Sequence, residues 1–463
     1  MRWMLVLVSA LLALQGCASS PVKLPEVETP ARWSTAQKPG GDIPSLAGGT
    51  DWFRGFGSAE LDALITAAYA SNLDLQAADA RLRQADARAR AAGATLLPQV
   101  DFGASSDTFT GHSSQGSAHE TDSAALVSAS YEIDFWGKNR AARTSAQASL
   151  RAGEADRAVV VLSTVTGIAN TYFEAVALRE EIESARAMAT NSRRLLDLVN
   201  ARGATGLANP TEVAQQRAAV ASAEIQVREL ERRQVEARSA VAILVGKTPG
   251  TLQITQQHLA DFTEPRVSAG LPTQLLTRRP DVYSAEQSLQ AAHADLAQAR
   301  AAFFPTVTLT GSGGVQNPAV QAALLTLPGA GPSLTVGTSL VQTLFDGGRL
   351  RATRDAAAAR ELEMIAQYRA AALAAFWDVE VALSAIDHLN LEADAQQENV
   401  SQSELALAGA EARYRAGSGD FLTVLDAQRT AITAREQMTQ YKLARLRAVV
   451  GLCKALGGGW RQK

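Results

Sequence analysis

Side chains able to do chemistry are few in this sequence, and they are scattered. Five histidines, His112, His119, His258, His293 and His388, stand in no partner motif, so each reads as a solvated or packed imidazole. The two cysteines, Cys17 and Cys453, are too few for a disulfide framework and lack zinc-finger spacing. Cys453, in an apolar stretch near the end, reads as a small core residue. Arg278-Arg279-Pro280-Asp281 could hold an anion, yet Pro280 just inside a helix start marks an architectural corner. No nucleophile, base and orienting group fall together, which argues against a hydrolase or other enzyme. Met188, Met364 and Met438 form no thioether cluster for copper or silver. What remains is local: Cys17 behind Leu14-Gln15-Gly16, and two short Gly-bearing turns between helical stretches, at residues 203–210 and 417–420. Acylation is open to the first; hydrogen bonding and charge are open to the others.

The segments that carry those turns are long. Residues 349–416 contain no Pro and only Gly409, and Ala, Leu, Glu, Arg and Gln dominate, all strong helix formers. At 1.5 Å per residue this is roughly 100 Å of helix, more than a globular domain can use. Ile365, Ala372, Val379 and Ile386 recur at heptad steps, with Phe376 and Leu383 as a second row, the pattern of helices packed along their length. Two glycines, Gly417 and Gly419, break the helix, and Asp420 is placed to cap a return over residues 421–456.

The N-terminus reads as an address. Arg2 precedes an apolar run over residues 3–14, too short to span a membrane as a mature helix. With Leu14-Gln15-Gly16-Cys17 this resembles a bacterial lipoprotein signal over residues 1–16, after which Cys17 becomes the acylated first residue; a plain signal peptide cut nearby is the alternative. Ala18 after Cys17 fits sorting to the outer membrane within that resemblance. Residues 17–58, rich in Pro and Gly, read as an extended tether at the equator of the molecule.

Composition then switches along the chain. A helix over 59–97 ends at Pro98. Over 98–136 the chain alternates instead: Val127, Ala129, Tyr131, Ile133 and Phe135 fall on one face, Ser128, Ser130, Glu132 and Asp134 on the other. Two such runs of about ten residues fit a hairpin of a transmembrane barrel, or a soluble hairpin with one buried face; the outer-membrane signal favours the first. Helices return over 138–246, and 247–272 is irregular. The cycle then repeats with a helix over 273–303, strands over 304–346 (Val307 and Leu309 opposite Thr306, Thr308 and Thr310; then Leu334, Val336 and Leu340), and helices over 348–456 before a second equatorial piece at 457–463. Leu97-Pro98 matches Phe304-Pro305, Phe135-Trp136-Gly137 matches Phe345-Asp346-Gly347, and Arg217 matches Arg429, so one unit is used twice. Four strands cannot close a barrel, and open edges in lipid leave backbone groups unpaired, so the chain must oligomerise. With 44 basic against 47 acidic residues and no basic cluster, nothing points to nucleic acid.

The whole mature chain resembles the TolC-like outer-membrane efflux proteins, most of all the lipid-anchored OprM/NodT-type branch. The strings that carry the resemblance are Tyr131-Glu132-Ile133-Asp134-Phe135-Trp136-Gly137, Leu276-Thr277-Arg278-Arg279-Pro280-Asp281-Val282, Phe345-Asp346-Gly347-Gly348, Leu422-Thr423-Val424-Leu425-Asp426-Ala427-Gln428-Arg429 and Ala455-Leu456-Gly457-Gly458-Gly459-Trp460. The resemblance implies a mainly α, internally duplicated fold: a trimeric 12-stranded β-barrel continuous with a long α-helical barrel in the periplasm. It implies a homotrimer in outer-membrane lipid, no cofactor beyond the lipid on Cys17, and docking through a periplasmic adaptor to an inner-membrane pump, of RND type. Small-molecule efflux is the expected function; a type I secretion outlet and a pore-less coiled-coil lipoprotein are the alternatives. The resemblance puts Asp426 in an acidic ring at a closed aperture, Thr423 at the same constriction where other members carry a second acid, and Tyr414 and Glu212 where hydrogen bonds tie helices shut. Gly419 stands where some members have an Arg link. Without it, Asp426 and Glu212 read as first-turn carboxylates favoured by the helix dipole, and Tyr414 as a packing residue.

Overall fold

A computed structural model describes residues 24–35, 51–113, 116–206, 208–256, 258–265, 267, 269–270, 272–316 and 333–462. The signal segment and Cys17 lie outside the described residues. In chain order the elements are α1 (Ala59–Ser71), α2 (Leu73–Ala94), β1 (Gln99–Ser113), β2 (Gly116–Ile133), α3 (Lys138–Ala204), α4 (Pro210–Val245), α5 (Pro272–Arg278), α6 (Pro280–Ala301), β3 (Thr306–Gln316), β4 (Ser333–Val341), α7 (Arg349–Arg415) and α8 (Phe421–Ala455). Two compact units share them: residues 1–26, 81–154 and 284–369 form one, the rest the other.

The first unit holds one antiparallel sheet in the order β1-β2-β3-β4. Its register lines up the alternation of all four strands: Phe102 faces Val127, Ala129 faces Gly311, Tyr131 faces Leu309, and Val307 faces Leu340. One face is therefore apolar, while Ser128, Ser130, Glu132, Thr306, Thr308 and Thr310 share the other. The apolar face is bare: Phe102 is 73% exposed, Leu334 82% and Val336 79%. Residues 125–133 of β2 span about 26 Å, close to the roughly 25 Å apolar band of a membrane barrel. The strand stops at Ile133, so Phe135 lies beyond it. Asp134 is pulled out of the alternation too, because its carboxylate accepts from the Asn139 and Arg140 amides at 3.1 and 2.8 Å at the start of α3.

The second unit is built on an aromatic core. Trp52, Phe53 and Phe56 form a buried 3-10 turn, so the end of the tether folds inward rather than running extended. Phe173 stacks edge-on to Phe56 and Phe262 at 5.1 and 4.9 Å. Ser58 caps α1, and Glu60 gathers the Tyr172 hydroxyl and the Thr255 and Gln256 amides at 2.8, 2.8 and 3.1 Å. Ala372, Val379, Phe376 and Leu383 of the heptad rows are buried along α7.

Two seams repeat within this unit. The sequence reading put one helix over 59–97, but the chain breaks at Asn72, whose Nδ2 donates to the Leu244 carbonyl at 2.6 Å and whose Oδ1 accepts from the Leu75 amide at 2.9 Å. Here α4 ends on Gly246, and a Cβ there would meet the Ser71 carbonyl at 2.2 Å. Likewise α8 ends where Arg279, between α5 and α6, donates to the Ala455 carbonyl at 3.1 Å, and a Cβ on Gly457 would meet the Arg278 carbonyl at 2.2 Å. Short helices thus abut end to end, their last carbonyls capped by the next segment. Arg279 also grips Asp281 and Asp378 at 2.6 and 2.8 Å, so the Arg-Arg-Pro-Asp string is a structural keystone.

Candidate functional site

The residues singled out in the two turns come together within the second unit. The α7–α8 turn closes with a Schellman pattern: Ser418 N donates to Arg413 O and Gly417 N to Tyr414 O, both at 3.0 Å. Gly417 sits at φ 75°, where a side chain is strained. Gly419 lies so close behind Arg413 and the Tyr414 amide that a Cβ would stand 3.0 Å from both, and this turn folds tightly on its own helix. Asp420 takes the N-cap position of α8, but its side chain makes no capping bond, unlike the sequence reading. Asn209 does cap α4, accepting from the Glu212 amide at 2.9 Å.

That cap fixes Glu212, and its carboxylate accepts from the Tyr414 hydroxyl at 3.0 Å. Burial, then the Glu212 charge, push the Tyr414 hydroxyl up to about 12, so it stays a neutral donor at any physiological pH. Sequence reasoning missed the third member. Arg202, at the end of α3, lies 4.5 Å over the Tyr414 ring and donates to the Tyr414 carbonyl. It occupies the position before Arg217 that Tyr414 occupies before Arg429, so the repeat itself carried the signal. Leu195, Val199, Phe421 and Val424 pack with Tyr414 in one apolar cluster.

A second missed contact lies about two turns into α4 and α8 and about three turns before the end of α3. Gln216 of α4 and Gln428 of α8 are both buried, at 0% and 3% exposure, and precede the matching arginines of the two repeats. Both converge on Ser192 of α3. Gln216 donates to its backbone carbonyl at 2.8 Å, Gln428 to its hydroxyl at 2.6 Å. Further polar contacts fix the helix order. Arg193–Glu224 joins α3 to α4 at 2.6 Å, Arg447–Glu174 joins α3 to α8 at 2.8 Å, and Arg435–Glu404 joins α7 to α8 at 2.6 Å.

Thr423 and Asp426 behave differently. Both are exposed, one turn apart on α8, and line an open groove of about 1050 Å³ with Leu422, Arg429, Gln226 and Glu436. The Asp426 carboxylate has no hydrogen-bond or ion-pair partner among the described residues. No group of histidine, cysteine or carboxylate side chains there could hold a metal. The arrangement is a clasp between helix ends beside an uncompensated acid; it offers no bond-making chemistry.

The sequence profile of the outer membrane efflux protein family matches residues 64–247 and 271–458. The chain is 41% identical to the pyoverdine export outer membrane protein OpmQ of Pseudomonas aeruginosa, covering 99% of this chain and 97% of that protein. It is 30% identical to the toluene efflux pump outer membrane protein TtgI of Pseudomonas putida, covering 97% of each. Among solved structures it superposes on the outer-membrane channel OprN with a TM-score of 0.86 at 26% identity, over 96% of this chain and 99% of that one.

Proposed function

Since the chain belongs to the outer membrane efflux protein family, and is an outer-membrane efflux component rather than an enzyme, we propose that it forms a homotrimeric duct gated at its helical turns. In this reading twelve strands from three copies close the barrel, and the cargo is a small molecule, a drug or toxic compound among them. It arrives from an inner-membrane pump, of RND type, through a periplasmic adaptor. Cys17 carries the lipid anchor.

The observation that carries the reading is the open sheet. Its bare apolar face suits lipid, and the free edges of β1 and β4 would leave several kcal/mol per unpaired backbone group there. Further copies remove that cost. Exposed apolar residues on two of the long helices point the same way: Ile225, Val235 and Ile243 on α4, and Leu373, Trp377, Leu391 and Leu405 on α7. The clasp of Arg202, Tyr414 and Glu212 supports a closed resting state, and Asp426, free of partners, suits a ring of carboxylates that filters ions.

Single-channel recording in planar bilayers tests this, with wild type beside Asp426→Ala. A small cation-selective conductance that rises in the variant is expected. Equal conductance removes Asp426 from the gate, and the absence of any channel from an inserted oligomer overturns the duct.

A further inference from the structure

The two full-length helices begin alike. Lys138-Asn139-Arg140-Ala141-Ala142-Arg143 opens α3 and Arg349-Leu350-Arg351-Ala352-Thr353-Arg354 opens α7, each with cations at its first, third and sixth positions. Neither helix has an acid in its first turn. Cations at a helix N-terminus oppose the macrodipole, so local stability favours the opposite choice. Asp134 and Asp346 place carboxylates on the two helix starts and answer the cations beside them, so cations left over at matching places point to a role outside the helix.

Pairing does not account for them all. Lys138 meets Glu132 at 2.7 Å, Arg140 meets Asp134 at 3.2 Å, Arg349 lies 3.9 Å from Asp346, and Arg354 meets Asp355 at 2.7 Å. Arg143 and Arg351 are exposed and have no ion-pair partner among the described residues. Both lie within the first unit, and the register brings them to one end of the sheet. Ile133 pairs with Val307, and Val307 with Leu340, so β2 and β4 both finish there.

Between those strand ends and the cations runs an apolar rim. Leu344 and Phe345 are 94% and 90% exposed, and Leu97, Phe135 and Phe304 are exposed beside them. Trp136 stacks on Phe304 at 4.7 Å and donates its indole N–H to the Pro305 carbonyl at 2.8 Å. Bare apolar strands, then aromatic rings, then arginines within two helical turns trace the polarity of a lipid leaflet from acyl chain to phosphate.

We propose that Arg143 and Arg351, with Arg140 and Arg349 beside them, bind the phosphates of anionic phospholipid in the periplasmic leaflet of the outer membrane. The proposal rests on the outer-membrane seating of the sheet and not on the trimer or the gate. The arginines fix the depth of the sheet and hold anionic lipid at its periplasmic end.

The test is tryptophan quenching by brominated lipids in the full-length protein, reconstituted in phosphatidylcholine vesicles. Brominated phosphatidylglycerol is compared with brominated phosphatidylcholine, and conductance is read on the same vesicles so that a failed duct is seen separately. Wild type should favour phosphatidylglycerol by about fivefold for each unpaired arginine, less in high salt because such attraction is screened. Arg143→Gln with Arg351→Gln should erase that preference, and Arg143→Lys with Arg351→Lys should keep most of it. Equal quenching by the two lipids in wild type overturns the proposal, as does a preference that survives the glutamine pair. If the glutamine pair does not insert, wild type and the lysine pair decide: a preference untouched by salt, or lost with lysine, also overturns it.

Discussion

Removing one oxygen, in Tyr414→Phe, should loosen the clasp while leaving its packing in place. The ring stays, and with it the Arg202 stacking at 4.5 Å and the contact with Phe421 at 5.3 Å. Only the 3.0 Å bond to the Glu212 carboxylate is lost. Hydrogen bonds to charged groups contribute about 1.5–3 kcal/mol, and Glu212 is half-exposed, so the lower end applies, about 1.5 kcal/mol in each copy. That is roughly tenfold in an opening equilibrium for each clasp, and about a thousandfold if the three clasps of the proposed trimer release together. Single-channel dwell times read this directly. Glu212→Ala should match Tyr414→Phe, and the double variant should add little to either, because both delete one interaction, whereas Glu212→Gln keeps an acceptor oxygen and should cost less. A pH arm follows from the hydroxyl, which titrates near 12 in the fold against about 10 when exposed. A raised value means the bond's contribution is whole below pH 10 and fades between about 10 and 12, so opening should stay flat up to pH 10. Dwell times for Tyr414→Phe within about twofold of wild type, with helix content intact, would refute the clasp as a lock. Strict additivity in the double variant would refute it equally.

Three further outcomes can be measured on stability. Ser192→Ala strands the buried Gln428 amide and should lower stability by about 1.5 kcal/mol, read as faster hydrogen exchange in α8, while the Gln216 contact survives because its acceptor is backbone. Arg279→Gln leaves Asp281 and Asp378 without their cation; both are about a third exposed, so the loss should be about 3 kcal/mol rather than more, seen as a lower thermal midpoint. Gly457→Ala meets a carbonyl at 2.2 Å from a residue at φ 85° and should cost at least about 2 kcal/mol, seen as fraying of α8 and α5 to limited proteolysis.

What could be read without coordinates was whatever repeats at short range. The alternation around Val127 to Ile133 gave a strand with its apolar residues on one face, and the heptad row from Ala372 to Val379 gave a buried helical seam, because both periods are local. Failures came where a distant group decides. Ser71-Asn72 is a local cap signal inside a run of good helix formers, and the Leu244 carbonyl, far along the chain, makes the break favourable by accepting the Asn72 side-chain amide. Phe135 continued the strand pattern on paper, but Asp134 is drawn off to cap α3 and ends the strand early. At the site, Glu212 and Tyr414 could be named in advance, whereas Arg202 carries no local mark and gains meaning only when the two repeats are laid side by side.

The twin glutamines have a consequence for heritable change. Gln216 holds an oxygen that every amino acid at position 192 would supply, whereas Gln428 holds one that only a hydroxyl-bearing or similar residue can offer. Drift at that codon therefore leaves the acceptor that ties α4 to α3 in place, yet a single substitution removes the one that ties α8 there. The two repeats thus grip the same residue of α3 by unlike means, and the grip on α8 can be loosened by substitution while the grip on α4 keeps its acceptor.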